Sequence, residues 1–399
     1  MKQARPKIAF WFRYGPGEHT ELLHALPDVI AGLAHHCDVH YFGLRSRKPV
    51  PARIAEHATV HLLPFTVDRT SQRDKVIKTL LWICCLPYVG LKSRALGINA
   101  VYIDETIPLT TLMARIFFGR KVAVTVVDFF VDIYFGKPGL LQRFGRLIRA
   151  IDMKTWRTLP LVFTRAKSTK QYLVEQGLQA DRIFPVYDPC DLSIYRPTDR
   201  LAAKEKFGWD DRNVVLVHHG ILHPNKGNDR ILRAIKPVCA QQPGFRYLLV
   251  GDGPEMDRLK ALTRELGLES AVHFTGWLKT LEEVNTALNA GDIGLVMRVG
   301  AESDNFHLTG ALVHSLACGL AVLGARLRGV SEVICEGENG LLFPPDDMTM
   351  FQDKLTALIK DRALRERLGR AGLDTARDAF DMERMTGRQI APLLHLVRM

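Results

Sequence analysis

Apolar residues fall along this chain in short β-rich runs, separated by longer stretches whose hydrophobic positions recur at helical spacing. In the first half, Lys7 to Phe12 reads as a strand and Thr20 to His35 as an amphipathic helix. Strand-like runs follow at Asp38 to Phe42, Thr59 to Leu63, Ala100 to Ile103, Lys121 to Val127 and Leu161 to Thr164. The second half repeats the pattern, with runs at Asn213 to His218, Arg246 to Val250, Ala271 to Phe274, Ile293 to Met297 and Ala321 to Leu323. Helical patterns at Asn228 to Ala240, Glu255 to Leu266, Leu281 to Ala290 and Thr309 to Ala317 lie between them. Short buried strands parted by helices of this length predict an α/β class, with parallel sheets wound from right-handed βαβ units. Turn formers crowd the stretch from Tyr187 to Pro197, which reads as a linker between two Rossmann-like domains. The expected division is 1–195, 196–380 and a C-terminal helix over 381–399 that returns to the first domain. Two such domains in tandem would face a central crevice at the carboxyl ends of their strands.

Composition narrows the class further. The 399 residues are 47% apolar and 24% charged, an ordinary globular mixture. That excludes a disordered, a collagen-like or a multispanning chain. Seven scattered cysteines show no paired metal or redox spacing, so a reduced, cytoplasmic setting is expected. The longest uncharged run, thirteen residues between Lys78 and Lys92, is too short to span a bilayer by itself. The net charge of +11 is the unusual quantity and points to an anionic partner. It is also lopsided. Residues 1–200 hold 29 basic against 17 acidic side chains, whereas the remainder is close to neutral.

Two loops carry candidate chemistry. After the first strand come Gly15, Gly17 and Glu18, where glycines permit close backbone approach and a helix start offers N–H groups to an anion. Only two glycines fit, so this is not a dinucleotide fingerprint. The corresponding loop of the second half runs from His218 through Gly220 to Lys226 and Gly227, then enters a helix. An ammonium and backbone donors there suit a diphosphate. His218, His219 and His223 invite a metal reading, but neighbours on a strand point apart and no metal is expected.

The second half also carries a longer series of pieces: Gly220 with Lys226 and Gly227; Leu248 to Pro254, including Gly251; Val272 to Gly276; Ala290 to Ile293; Leu316 to Gly319; Gly329 to Ile334; and Glu336 to Pro344. In that order they resemble the donor-binding domain of GT-B glycosyltransferases, in particular glycosyltransferase family four. The resemblance implies a nucleotide-sugar co-substrate, transfer with retention at the anomeric carbon, and no metal or other cofactor. Lys226 and the Gly220 loop would serve the diphosphate, and Gly276 and Trp277 would flank the base. The segment Glu302, Asp304, Leu308, Thr309 and Gly310 would present backbone donors to the phosphates. The family's arginine after the first glycine is Ile221 here, and its two glutamates, eight positions apart, are Phe306 and His314. Glu302, Asp304 and His307 are candidate replacements for the first glutamate, and the His314 imidazole stands where the second would contact ribose. The histidine common at the end of an acceptor-domain strand corresponds to Val127, leaving Asp128 as the nearest polar side chain. Asp128, Lys226, Glu302 and His307 are therefore the catalytic candidates, with Gly15 and Gly17 added to the donor-binding set.

On the basic half, Glu18, Asp104 and Glu105 are placed to orient acceptor hydroxyls. Lys75 to Arg94 is an apolar block bracketed by cations, and Arg143, Arg146 and Arg149 ride beside apolar positions of the stretch Leu140 to Trp156. Both patterns fit a helix lying in an anionic interface. No nucleic-acid-binding module is visible, so none is expected as a partner. The expected function is sugar transfer to a glycolipid, oligosaccharide or polysaccharide acceptor at the inner face of the cytoplasmic membrane. A nucleotide-sugar-binding scaffold without turnover and a sugar-nucleotide epimerase on the same fold are the competing functions.

Overall fold

The structure is a computed structural model that describes residues 5–67, 72–104, 106–127, 140–299, 302–306 and 308–399. Its chain divides into two compact units, Met1–Pro189 with Met382–Met399, and Cys190–Asp381.

The first unit is built on seven strands: β1 Lys7–Trp11, β2 Asp38–Arg45, β3 Ala58–Thr66, β4 Ala100–Ile103, β5 Val122–Val126, β6 Leu161–Thr164 and β7 Ile183–Pro185. They lie in the order β3-β2-β1-β4-β5-β6-β7, and every pairing is parallel. β4, β5 and β6 are buried at every residue, as strands must be when helices cover both faces of the sheet. The second unit has six: β8 Val214–His219, β9 Phe245–Val250, β10 Val272–Phe274, β11 Ile293–Val296, β12 Ala321–Ala325 and β13 Gly340–Phe343. Their order is β10-β9-β8-β11-β12-β13, again all parallel. In both sheets the winding reverses beside the first strand, between β1 and β4 and between β8 and β11. Asp292 fixes the start of β11. Its carboxylate accepts from the Val215 amide at 2.9 Å and pairs with the buried Lys204 ammonium at 2.9 Å.

Three local features differ from or extend the sequence expectation. The helix expected from Thr20 to His35 is two helices, Pro16–Leu22 and Leu26–Ala34. Pro27 lies in the first turn of the second, where its missing N–H costs nothing, whereas inside one continuous helix it would break the ladder. The apolar block becomes a helix of 24 residues, Gln72–Ala95. By length and composition its segment Arg73–Ala95 could cross a membrane, so the short uncharged run understated it. One face, with Trp82, Leu86 and Val89, is core, and Lys78 is fully buried in an ion pair with Glu18. Lys78 is therefore no surface cation. The chain's last helix, Met382–Arg398, packs on the helix Leu26–Ala34, where a Cβ on Gly32 would lie 2.4 Å from Ile390. Its Gln389 amide donates to the Tyr102 hydroxyl at the sheet.

Leu109 is the one described non-glycine residue with positive φ (64°), and its amide donates to the Asp152 carboxyl at 3.3 Å. Burial pushes that carboxyl up to about 7, with the Leu109 bond only partly opposing it. A carboxyl raised on folding stabilises the protein while protonated; that contribution is whole below pH 3.8 and is lost progressively as pH rises from there through about 7. Asp152→Asn keeps an acceptor for Leu109 and mimics the protonated form. It is expected to change the thermal midpoint least near pH 4 and to raise it progressively above that, by several degrees at pH 8, as read by calorimetric melts.

Candidate functional site

Where the winding of an open parallel sheet reverses, the loops after the two adjoining strands diverge and leave a gap at the carboxyl edge. In the second unit these are the loops after β8 and β11. The first is drawn in by glycine. Gly220 has φ 122° and Gly251, after β9, has φ 131°; a Cβ on Gly251 would meet the Gly220 carbonyl at 2.3 Å. Gly251 also bridges Gly276. Beyond Gly220 a single 3-10 turn, Pro224–Lys226, ends on Gly227 (φ 62°) and leads directly into the helix Asn228–Gln241. The Lys226 ammonium is thereby folded back to the Gly220 loop, 3.7 Å from where a Gly220 Cβ would sit.

The loop after β11 meets it. The Val299 amide donates to the Asn225 carbonyl at 2.7 Å. Arg298 pairs with Asp304 at 2.6 Å, and the Asn225 side-chain amide donates to the same carboxylate at 3.1 Å. Desolvation, then the Arg298 charge, lowers the Lys226 ammonium to about 7, with Asp304 opposing. Among the described residues that ammonium has no hydrogen-bond or ion-pair partner.

Imidazoles line the same edge. His218 is buried and held by Asn228 at 2.6 Å, and burial with Lys226 drives it down to about 3. It is a neutral packing group. His219, lowered to about 4 by burial and then by Lys226, approaches His314 at 3.4 Å, and His314 lies flat on Tyr195 with ring centroids 3.8 Å apart. His314 projects from the helix Gly310–Ala317, whose cap Thr309 accepts from the Leu312 amide. Phe306 is core and takes the Arg328 guanidinium on its face at 5.2 Å, and Leu308 is buried. Trp277 is 71% exposed in the loop after β10. Among the described residues no cluster of three or more His, Cys, Asp or Glu side chains stands ready for a metal.

The switch point of the first unit is occupied by the chain's own charges. His19 contacts Tyr41 at 3.0 Å and Asp104 at 3.2 Å across the gap between β1 and β4. Asp104 also takes Arg165 at 2.7 Å and the Tyr102 hydroxyl at 2.6 Å, and Arg165 reaches Asp188 at 3.1 Å. Burial would raise the Asp104 carboxyl, but the Arg165 charge and the His19 hydrogen bond outweigh it and hold it below its ordinary value. Glu18 is equally committed, to Lys78. The expected orientation of acceptor hydroxyls by Glu18 and Asp104 therefore gives way to internal pairing, because both carboxylates are buried and compensated. Gly15 and Gly17 also serve the chain itself. Their Cβ positions lie 3.0 Å from the Leu44 carbonyl and 2.3 Å from the Pro49 carbonyl, so the chain's own backbone crowds out a side chain at both places.

Glu105, Asp128 and His307 lie outside the described residues. Glu302 opens the 3-10 turn Glu302–Asn305, and its side chain is likewise outside the description. Of the expected donor residues, the fold gathers Gly220, Lys226, Gly227, Asp304 and His314 around the β8/β11 edge. Arg298 is the important omission. A charged residue directly after the Ile293–Met297 run, at the carboxyl end of a strand, was the signal that could have found it.

The sequence of this unit has known counterparts. The family described as "Glycosyl transferases group 1" matches residues 199–375. That stretch, less than half of the chain, is similar to group 1 glycosyl transferases.

The matched residues include both arms of the cationic edge, Lys226 and Arg298. Curated relatives include N-acetyl-alpha-D-glucosaminyl L-malate synthase of Bacillus anthracis, 27% identical over 51% of this chain and 51% of the relative. Another is D-inositol 3-phosphate glycosyltransferase of Nocardia farcinica, 31% identical over 53% of this chain and 47% of the relative. The chain thus spans about half the length of the curated relatives it matches. Among solved structures, sucrose-phosphate synthase from Thermosynechococcus elongatus superposes with a TM-score of 0.75 at 17% identity, covering 99% of both chains. Anabaena HepE in complex with UDP gives 0.74 at 19% identity, over 98% of this chain and 99% of that one. The fold is GT-B, and the chain resembles family-four glycosyltransferases.

A lysine lowered to about 7 is largely neutral at pH 8, and an anion placed on it would restore its proton. Inorganic pyrophosphate binding at pH 8 is expected to take up a proton, read by calorimetry in buffers of different ionisation enthalpy. Lys226→Met is expected to abolish that uptake.

Proposed function

We propose that the protein transfers a sugar from a nucleotide-sugar donor to a lipid-linked or polysaccharide acceptor, with retention of anomeric configuration. The observation that carries this reading is the desolvated Lys226 ammonium at the β8/β11 switch point of a group 1 glycosyl transferase domain. A diphosphate is the part of such a donor that two convergent loops and an ammonium suit best. Among solved structures of like fold, HepE is described in complex with UDP and with UDP-glucose, which supports a nucleotide-sugar donor. The charge that a metal would otherwise supply is already present as protein cations, so the reading requires no metal or other cofactor. In transfer with retention, the leaving phosphate held by Lys226 would take the acceptor hydroxyl's proton as the new glycosidic bond forms. The protein's contribution is position and charge stabilisation.

The acceptor side rests on the surface of the first unit. On the helix Gln72–Ala95, Ile77, Leu80, Cys84, Tyr88 and Leu91 follow helical spacing and are all exposed, Leu91 by 64%. Arg73, Arg94, Arg143 and Arg146 are exposed in the same unit, whereas Arg149 is bound to Tyr172. An outward apolar stripe among cations suits the headgroup boundary of an anionic bilayer, where a lipid-linked acceptor is met. The proposed location is the cytoplasm, peripheral to the inner face of the membrane, and the reading gives nucleic acid no part.

Incubation with UDP-, GDP- and ADP-sugars and a membrane extract tests the activity. Nucleotide release that requires the acceptor is expected. Sugar conversion without acceptor would instead indicate an epimerase, and binding without turnover a scaffold. Leu80→Glu with Leu91→Glu is expected to reduce sedimentation with anionic liposomes severalfold, and Arg143→Gln with Arg146→Gln to do so most at low salt. Unchanged sedimentation in both variants would remove the membrane from the reading.

A further inference from the structure

We infer that Arg298 is the second cation of the donor's diphosphate site, supplied from the end of β11 in place of the arginine absent at Ile221. The inference rests on the donor reading above. Geometry carries it. Lys226 stands on the loop after β8 and Arg298 on the loop after β11, and the 2.7 Å bond from the Val299 amide to the Asn225 carbonyl ties the two loops together. Both cations therefore converge on one side of the switch point. Asp304 is the carboxylate there among the described side chains, and it already accepts from Arg298 and from Asn225.

The Arg298 guanidinium is only partly used by that pair. One terminal nitrogen binds Asp304, while its buried Nε has no partner among the described residues. Buried donors are normally satisfied, so an unfilled Nε at a site of excess positive charge marks a place for an acceptor. Unfilled guanidinium nitrogens occur among the described residues also at Arg115 and Arg200. Arg298 differs from these because its neighbour Lys226 is also an unpartnered cation in the same desolvated space. His218 and His219 beside them are neutral, so they add donors or acceptors without balancing charge. A ligand bearing two or more negative charges on tetrahedral oxygens satisfies Lys226 and the Arg298 Nε together. Asp304 then acts as a positioning residue that holds the guanidinium plane toward the β8 loop. Ile221, the place where the family resemblance leads one to look for this charge, is 58% exposed and contributes none.

The test compares binding of inorganic pyrophosphate, UDP, GDP and ADP by calorimetry to the full chain and three variants. Arg298→Gln is expected to lower affinity about tenfold or more for whichever ligand the wild type binds, as loss of a charge-assisted contact does. Arg298→Lys is expected to keep most of the affinity. Adding Ile221→Arg to Arg298→Gln is expected to recover part of the loss by supplying the charge from the other loop. Equal affinity of wild type and Arg298→Gln would overturn the role of Arg298 while leaving the donor reading intact. Equal losses in Gln and Lys variants, with matching falls in thermal midpoint and no recovery by Ile221→Arg, would also overturn it by showing a purely structural partner of Asp304. A wild type that binds none of the four ligands would overturn the donor reading itself, and this inference with it.

Discussion

Parallel pairing throughout both sheets is the constraint on which the rest of this molecule depends. A parallel strand cannot be reached by a tight turn, so each connection crosses a face of the sheet and returns to the same edge. All loops that follow strands therefore gather at the carboxyl edge. Only where the winding reverses do two of them part, and both units reverse beside their first strand. Chemistry has one natural address in each unit, whatever residues happen to occupy it.

The two addresses are furnished in opposite ways. In the first unit, His19, Asp104 and Arg165 meet across the reversal and neutralise one another, with Tyr41 and Tyr102 completing the shell. Breaking such a pair by removing one partner costs about 3–5 kcal/mol, so these groups are bound to the fold before any ligand arrives. In the second unit, Lys226 and Arg298 meet beside Asp304, and desolvation, then the Arg298 charge, takes part of the ammonium's proton affinity. One reversal is a closed electrostatic circuit, and the other is left open toward an incoming anion.

Strand positions were legible because full burial in parallel sheets leaves continuous apolar runs, and β4, β5 and β11 lie almost where those runs predict. Helix boundaries were less so. Periodicity ran through Thr20 to His35 without showing that Pro27 would start a second helix. The Gly220 and Lys226 loop could be read because glycine and lysine at a strand-to-helix turn have few other uses. Asp104 and Glu18 misled because their partners, Arg165 and Lys78, are distant in sequence, and no local pattern reveals a buried pair. Gly15 and Gly17 have a structural reason that no local pattern reveals: the chain's own carbonyls approach them along the folded path through Leu44 and Pro49.

The last helix has a consequence for how the chain is made. Met382–Arg398 covers the helix Leu26–Ala34 and hydrogen-bonds the sheet through Gln389 and Tyr102, yet it is synthesised after the whole of the second unit. Cys190–Asp381 is one uninterrupted stretch, all of it synthesised before that helix. The first unit, although begun earlier, must wait with an uncovered apolar face until the final turn of helix emerges. Order of synthesis and order of completion are thus reversed in this protein.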